Sequence, residues 1–262
     1  MKKQLLWLIL IVVLAILSVA VWLFLNTDSS GGNPSGDIAA TDQAVSVHHE
    51  RFRKTPDEYY SIDIAYPIIS GLDNAAVEAD LNKNIHAIAF RDYDEKEIGD
   101  YELNVTSDYS IIGGRIICCI FYEQYGHKLA AHPSRGIDYL AYDMKTGKAL
   151  ALSDIFTAQD KLYDLIIGEV FASVGFDVDW DELADFIGPE YLEAYLKQDY
   201  VDSQFYLREN ALGIVISVPH AVGDYWDFEA DYTDLWECLS PDFQILLQNS
   251  GVEPPVTSPD AK

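Results

Sequence analysis

The chain has 262 residues, with 17 Lys or Arg against 43 Asp or Glu and a formal net charge of -26 at pH 7. So acidic a surface repels nucleic acid and anionic lipid and attracts cationic proteins or metal ions, which excludes nucleic-acid binding. The length suits one substantial domain with appendages, or two small ones.

The first element is directed to a membrane. Leu5–Leu25, "LLWLILIVVLAILSVAVWLFL", carries no charge. At about 1.5 Å per residue it reaches roughly 31 Å, the thickness of a bilayer's hydrocarbon core. Trp7 and Trp22 stand near its two ends, where indoles favour the interface. Lys2 and Lys3 precede it and the next cationic side chain is Arg51, so the N-terminus is expected in the cytoplasm and the rest outside the cell. Ser18-Val19-Ala20 resembles a signal cleavage site, but the apolar run continues past it. The expectation is an uncleaved, single-pass anchor with its cytoplasmic stub over residues 1–25. Residues 26–44, polar and rich in Gly, Ser and Asp, follow as a flexible linker. Residues 249–262 hold three prolines and no apolar periodicity, and read as a disordered tail.

The folded part opens with strands. "AVSVHHERFRK" and "EYYSIDIAYP" alternate, with Tyr60, Ile62, Ile64 and Tyr66 on one face. Then Val77, Leu81, Ile85 and Ile88 recur at helical spacing, with Asp73 placed to cap the helix and His86 beside the apolar stripe. "YELNVTSDYSII", Gly113-Gly114 and "RIICCIFYEQYG" predict a hairpin. "GIDYLAYDM", the turn Lys145-Thr146-Gly147-Lys148 and the return strand "ALAL" predict another, with Leu150 and Leu152 buried. Ser153 or Asp154 then caps a helix through "QDKLYDLIIGEVFASVG". A further helical region follows over "DVDWDELADFIGPEYLEAYLKQ", then a hairpin turning at Glu209-Asn210 and a short final helix after Ser240-Pro241. Hairpins with a few helices packed on them give an α+β fold with an antiparallel sheet. Cys118 and Cys119 are adjacent in a strand, so their side chains point to opposite faces and at most one easily pairs with Cys238. One disulfide or three thiols both fit.

No chemical motif rises from this pattern. The Lys145–Lys148 turn lies between strands and lacks the spacing of a phosphate-binding loop. His127 and His132 sit in a loop without a metal-ligand spacing, and a structural role is expected for His132, its ring bonded to nearby backbone. Asp177, Asp179, Asp181 and Glu182 open like a calcium loop, but Glu182 stands where that loop demands glycine and Gly188 where it demands the bidentate acid. Asp177, Asp179 and Asp181 are therefore weak calcium candidates at most. No cofactor, dedicated metal site or catalytic residue is expected.

The stretch "AAHPSRGIDYLAYDMKTGKALALSDIF" resembles the signature of a bacterial extracytoplasmic domain family of unknown function. The resemblance is carried by His132, Pro133, Tyr139, Tyr142, Thr146, Gly147, Asp154 and Phe156. Upstream, "IDIAYPIISGLDNAAVEADLNKNIHAI" is similar to the module that precedes it; downstream, "QFYLRENALGIVISVPHAVGDYWDFEADYTDL" is similar to its closing hairpin and final strand. The resemblance implies an N-terminal module over 45–103 and a C-terminal module over 104–248. Family members form the ectodomain of a lysozyme-sensing anti-sigma-V factor and the front of some peptidoglycan deacetylases. Here only Met1–Gln4 precede the membrane segment, and the deacetylase metal motif is absent. The resemblance thus implies a non-enzymatic binding or sensing domain at the cell envelope. Its expected partner is lysozyme, another cationic wall-active protein, or peptidoglycan. A wall hydrolase or deacetylase with an unrecognised site is the alternative.

Overall fold

The computed structural model describes residues 45–55, 60–97, 101–127, 130, 132–175, 188, 190 and 204–255. The expected anchor, linker and far tail lie outside them, as do Asp177, Asp179 and Asp181. Among the described residues, no helix is long and apolar enough to cross a membrane.

Six strands form the first sheet in chain order: β1 (Ser46–Lys54), β2 (Ile62–Ser70), β3 (Tyr101–Ile112), β4 (Ile116–His127), β5 (Ser134–Asp143) and β6 (Lys148–Ala149). The fold is α+β, and all but one of this sheet's pairings are antiparallel. The exception corrects the expectation of a purely antiparallel sheet. β2 and β3 are parallel, Ile62 opposite Leu103 and Ile64 opposite Val105. The helix α1 (Ala75–Ala89) makes the crossover between them, returning the chain to the end where β2 began. Alternation reports which face a residue takes, not which way a neighbouring strand runs.

That parallel ladder is short. Beyond it, Asn82 of α1 stands in for a strand: Ile69 N–H donates to Asn82 Oδ1 and Asn82 Nδ2 donates to Ile69 O, each at 2.8 Å. The helix itself starts one residue later than its expected cap. Asn74, not Asp73, accepts from the backbone of Ala76 and Val77. Val77, Leu81, Ile85 and Ala89 face the sheet, while Ile88 is half-buried and His86 exposed.

The second sheet runs in the order β7 (Ala172–Ser173), β10 (Tyr225–Asp231), β9 (Ala211–Ser217), β8 (Phe205–Leu207). It packs against the face of the first sheet opposite α1, with α2 (Leu152–Ile155), α3 (Leu162–Ile167) and α4 (Pro241–Asn249) completing that side. β4 is shared by two cores. Ile117, Cys119 and Phe121 join α1, whereas Ile116, Cys118 and Ile120 join the second sheet. Burial on both faces is why its sequence reads as an unbroken apolar run. All three cysteines are free thiols, Cys118 and Cys119 on opposite faces as expected.

Local details also depart from the sequence reading. The β3–β4 hairpin turns at Gly113-Gly114 and the β5–β6 hairpin at Gly147, each glycine with positive φ. The return strand β6, however, is two residues long, and Leu152 starts α2 instead of continuing it. α2 therefore ends before Phe156, and Asp154 sits in its first turn, accepting from Ala151 N–H at 3.0 Å. The helix expected through residues 159–175 stops at Ile167. Glu169 takes φ 59°, Val170 N–H closes onto Leu165 O, and buried Phe171 leads into β7. The final helix follows Ser240-Pro241 as expected, and Ser240 is its cap.

Candidate functional site

The second sheet covers only part of the first sheet's face, and a step is left where the cover ends. Cross-strand pairing places Asn104 opposite Gln124, Thr106 opposite Tyr122, and Gln124 opposite Arg135. Since directly opposed residues share a face, these side chains make one polar floor. Tyr225, the first residue of β10, stands beside it. Together with Glu123 they line a groove of about 340 Å³. Arg135 lies over Tyr225 with its guanidinium carbon 5.3 Å from the ring centroid. Burial raises the Tyr225 phenol above its usual range, and Arg135 opposes the shift.

One end of the groove is closed by residues far apart in sequence. Asp224 accepts from Arg135 N–H at 2.8 Å and contacts His220 Nδ1 at 2.6 Å, so one carboxylate ties β5 to the turn before β10. Asp224 holds φ 74° directly after Gly223 at 115°, a left-handed pair that turns the chain. The His132 ring stacks on His220 with centroids 4.1 Å apart. Its expected bond to backbone is reduced to a 3.5 Å approach of Nδ1 to Pro133 O.

The other end runs into a polar seam between the sheets. Arg208 donates to Asp108 Oδ2 at 2.7 Å, to the Tyr122 hydroxyl at 2.8 Å and to Glu229 Oε1 at 3.3 Å. Tyr206 donates to the same Glu229 oxygen at 2.8 Å and to Asp227 at 3.2 Å. Burial would lower the Arg208 pKa, but Tyr122, Glu229 and Asp108 hold it above its ordinary value. Burial raises Asp227, against the opposing bond from Tyr206. Gly213 is required here, because a Cβ would overlap the Tyr206 ring.

Beneath the floor, Glu123 turns its carboxylate to the α1 side. Arg91, just past α1, bonds Asp138 at 2.5 Å and approaches Asp92 at 3.3 Å and Glu123 at 3.5 Å. One guanidinium thus serves three carboxylates. Burial, with Asp92 and Asp138 adding to it and Arg91 opposing, pushes the Glu123 pKa up to about 7.

The remaining signature residues are scattered. Tyr142 is buried toward α1 and donates to Asp80 at 2.6 Å; burial and that carboxylate push its phenol up to about 12. Tyr139 packs against the other core near Phe205, and Phe156 bridges to Leu239. Thr146 N–H donates to Asp143 Oδ1 in the turn, with Gly147 following at φ 75°. Lys148 pairs with Asp154 at 2.6 Å, which, against the effect of burial, lowers the Asp154 pKa. Pro133 is exposed. Of the signature, only His132 reaches the groove's end. Among the described residues, no group of three or more His, Cys, Asp or Glu is arranged to hold a metal ion. Burial pushes the Cys118 thiol up to about 12 and raises Cys119 as well, so neither is a ready nucleophile.

No protein-family model matches the chain, and no curated protein matches it. Solved structures do. A DUF3298 family member from Bacteroides fragilis matches with a TM-score of 0.55 at 12% identity, over 80% of this chain and 98% of the other. The fold is similar to that of a DUF3298 protein. A second DUF3298 protein, from Pseudomonas aeruginosa, matches with a TM-score of 0.40 at 12% identity, over 76% of this chain and 95% of the other. Within this DUF3298-like fold the sequence reading missed Arg135, His220, Asp224 and Tyr225 as neighbours. The nearest local signal was the i, i+4 spacing of His220 and Asp224 across a Gly-Asp turn.

Proposed function

We propose that the chain is a membrane-anchored, extracytoplasmic binding domain of a bacterial cell envelope, and that it acts by holding a ligand without transforming it. The uncharged Leu5–Leu25 run supports the anchor. The observation that carries the binding role is the groove, where two amides, a threonine hydroxyl, two tyrosines and an arginine converge on one open volume. Such a lining suits a polar ligand rich in hydroxyls and amides, so a cell-wall component fits it better than a protein surface does. The net charge of -26 supports encounter with a cationic protein such as lysozyme, in keeping with the likeness to the anti-sigma ectodomain.

The alternative of a wall hydrolase or deacetylase draws on His220, whose Nδ1 is held by Asp224 in the manner of an oriented general base. Titrating the full chain in nanodiscs with soluble peptidoglycan fragments and, separately, with lysozyme at low salt separates these readings. Saturable binding of wall fragments without release of sugar or acetate is expected. Release of either product that is lost in His220→Ala establishes the enzyme instead. Absence of any saturable binding to either ligand sinks the binding role.

A further inference from the structure

Arginine pairing sets the groove apart. The chain has six arginines among its 17 basic residues, and 43 acids surround them. Arg51 and Arg53 share Asp63, Arg91 bonds Asp138, Arg115 bonds Asp143, and Arg208 bonds Asp108. Among the described residues, Arg135 alone of the six has no carboxylate partner. Its backbone N–H is fixed by Asp224, and its guanidinium carbon stands 5.3 Å from the centroid of the Tyr225 ring. A guanidinium carries five N–H donors in a planar fork, so its contact with Tyr225 leaves donors for a carboxylate gripped by two parallel hydrogen bonds. Beside it, the side chains of Asn104, Thr106 and Gln124 line the same volume.

We infer that the groove recognises a carboxylate-bearing wall fragment, with Arg135 gripping the carboxylate and the neighbouring amides and hydroxyl contacting the rest. The inference rests on the wall-binding role proposed above and names the group that gives it specificity. Two carboxylates stand by the groove, Asp224 engaged by Arg135 N–H and His220, and Glu123 turned to Arg91. Exposed charges more than roughly 8 Å away are largely screened at physiological ionic strength, so the contacting guanidinium decides. A carboxylate in peptidoglycan is supplied either by the lactyl ether of muramic acid or by the stem peptide, and the two sources are separable.

The test is calorimetric titration of the full chain in nanodiscs with four probes: N-acetylmuramic acid, a muramyl peptide, the free stem peptide and an uncharged chitotetraose. At least one acidic probe is expected to bind more tightly than chitotetraose, and the tighter of the sugar acid and the free peptide identifies the source. Arg135→Gln should weaken that acid at least about tenfold, the scale of a lost charged hydrogen bond, while melting temperature and chitotetraose binding hold. Arg135→Lys should recover only part of the loss, because an ammonium lacks the fork. Arg53→Gln, away from the groove, should leave all four unchanged. If chitotetraose and the acids bind equally to wild type and Arg135→Gln, the carboxylate assignment is overturned while wall binding stands. If none of the four binds wild type, both fall together.

Discussion

Glu123 is a carboxyl whose protonation the fold moves into the neutral pH range. Its carboxyl is raised from 4.5 to about 7, first by burial and then by Asp92 and Asp138. The folded protein therefore keeps a proton that the unfolded chain releases, and stability declines as pH rises across that window before levelling above it. Melting temperature should fall between pH 5 and pH 8, and Glu123→Gln should flatten the profile and raise the value at pH 8. An unchanged profile in the variant would show that Glu123 does not hold its proton in the folded protein. Gly147 offers a second test at this scale. Its φ is 75°, and a Cβ there would stand 3.0 Å from Val77 Cγ2. Gly147→Val should cost about 1 kcal/mol or more, read as a lower urea midpoint.

At the scale of elements, two small polar contacts decide how the chain is joined. Asn82 reaches from α1 to satisfy both backbone groups of Ile69 where β3 no longer runs alongside β2. Asn82→Ala leaves a donor and an acceptor without partners, at a cost of about 1–3 kcal/mol. Amide exchange at Ile69 should accelerate more than exchange along β4; uniform acceleration would mean that the contact serves only global stability. Asp154 anchors the first turn of α2 through Ala151 N–H and pairs with Lys148. Asp154→Ala should cost about 1 kcal/mol, checked by its melting temperature.

For the whole molecule, the seam around Arg208 joins the two sheets. Removing the guanidinium leaves Glu229, Asp108 and the Tyr122 hydroxyl without their shared donor. Arg208→Met should destabilise by on the order of 2 kcal/mol. It should also separate exchange in β8 and β9 from exchange in β4, since the sheets would no longer be tied by that seam. Coincident exchange in the variant would place the coupling in the apolar core instead.

The sequence by itself determined which residues form most strands and which turns need glycine, because period-two burial and left-handed turns leave local marks. Gly113-Gly114, Gly147 and the run through Cys118 and Cys119 were legible in this way, and Ser240-Pro241 marked the start of the final helix. It also marked His132, but not what His132 would meet. The parallel pairing of β2 with β3, Asn82 acting as a strand, and the groove were decided by tertiary structure. Arg135 and Asp224 are 89 positions apart, and Arg208 and Tyr122 are 86 apart. Their meeting depends on where the second sheet stops covering the first, a consequence of how two apolar faces pack. Polar residues at the edge of such a contact carry no periodic signal of their own, so only the assembled fold reveals that they face one another.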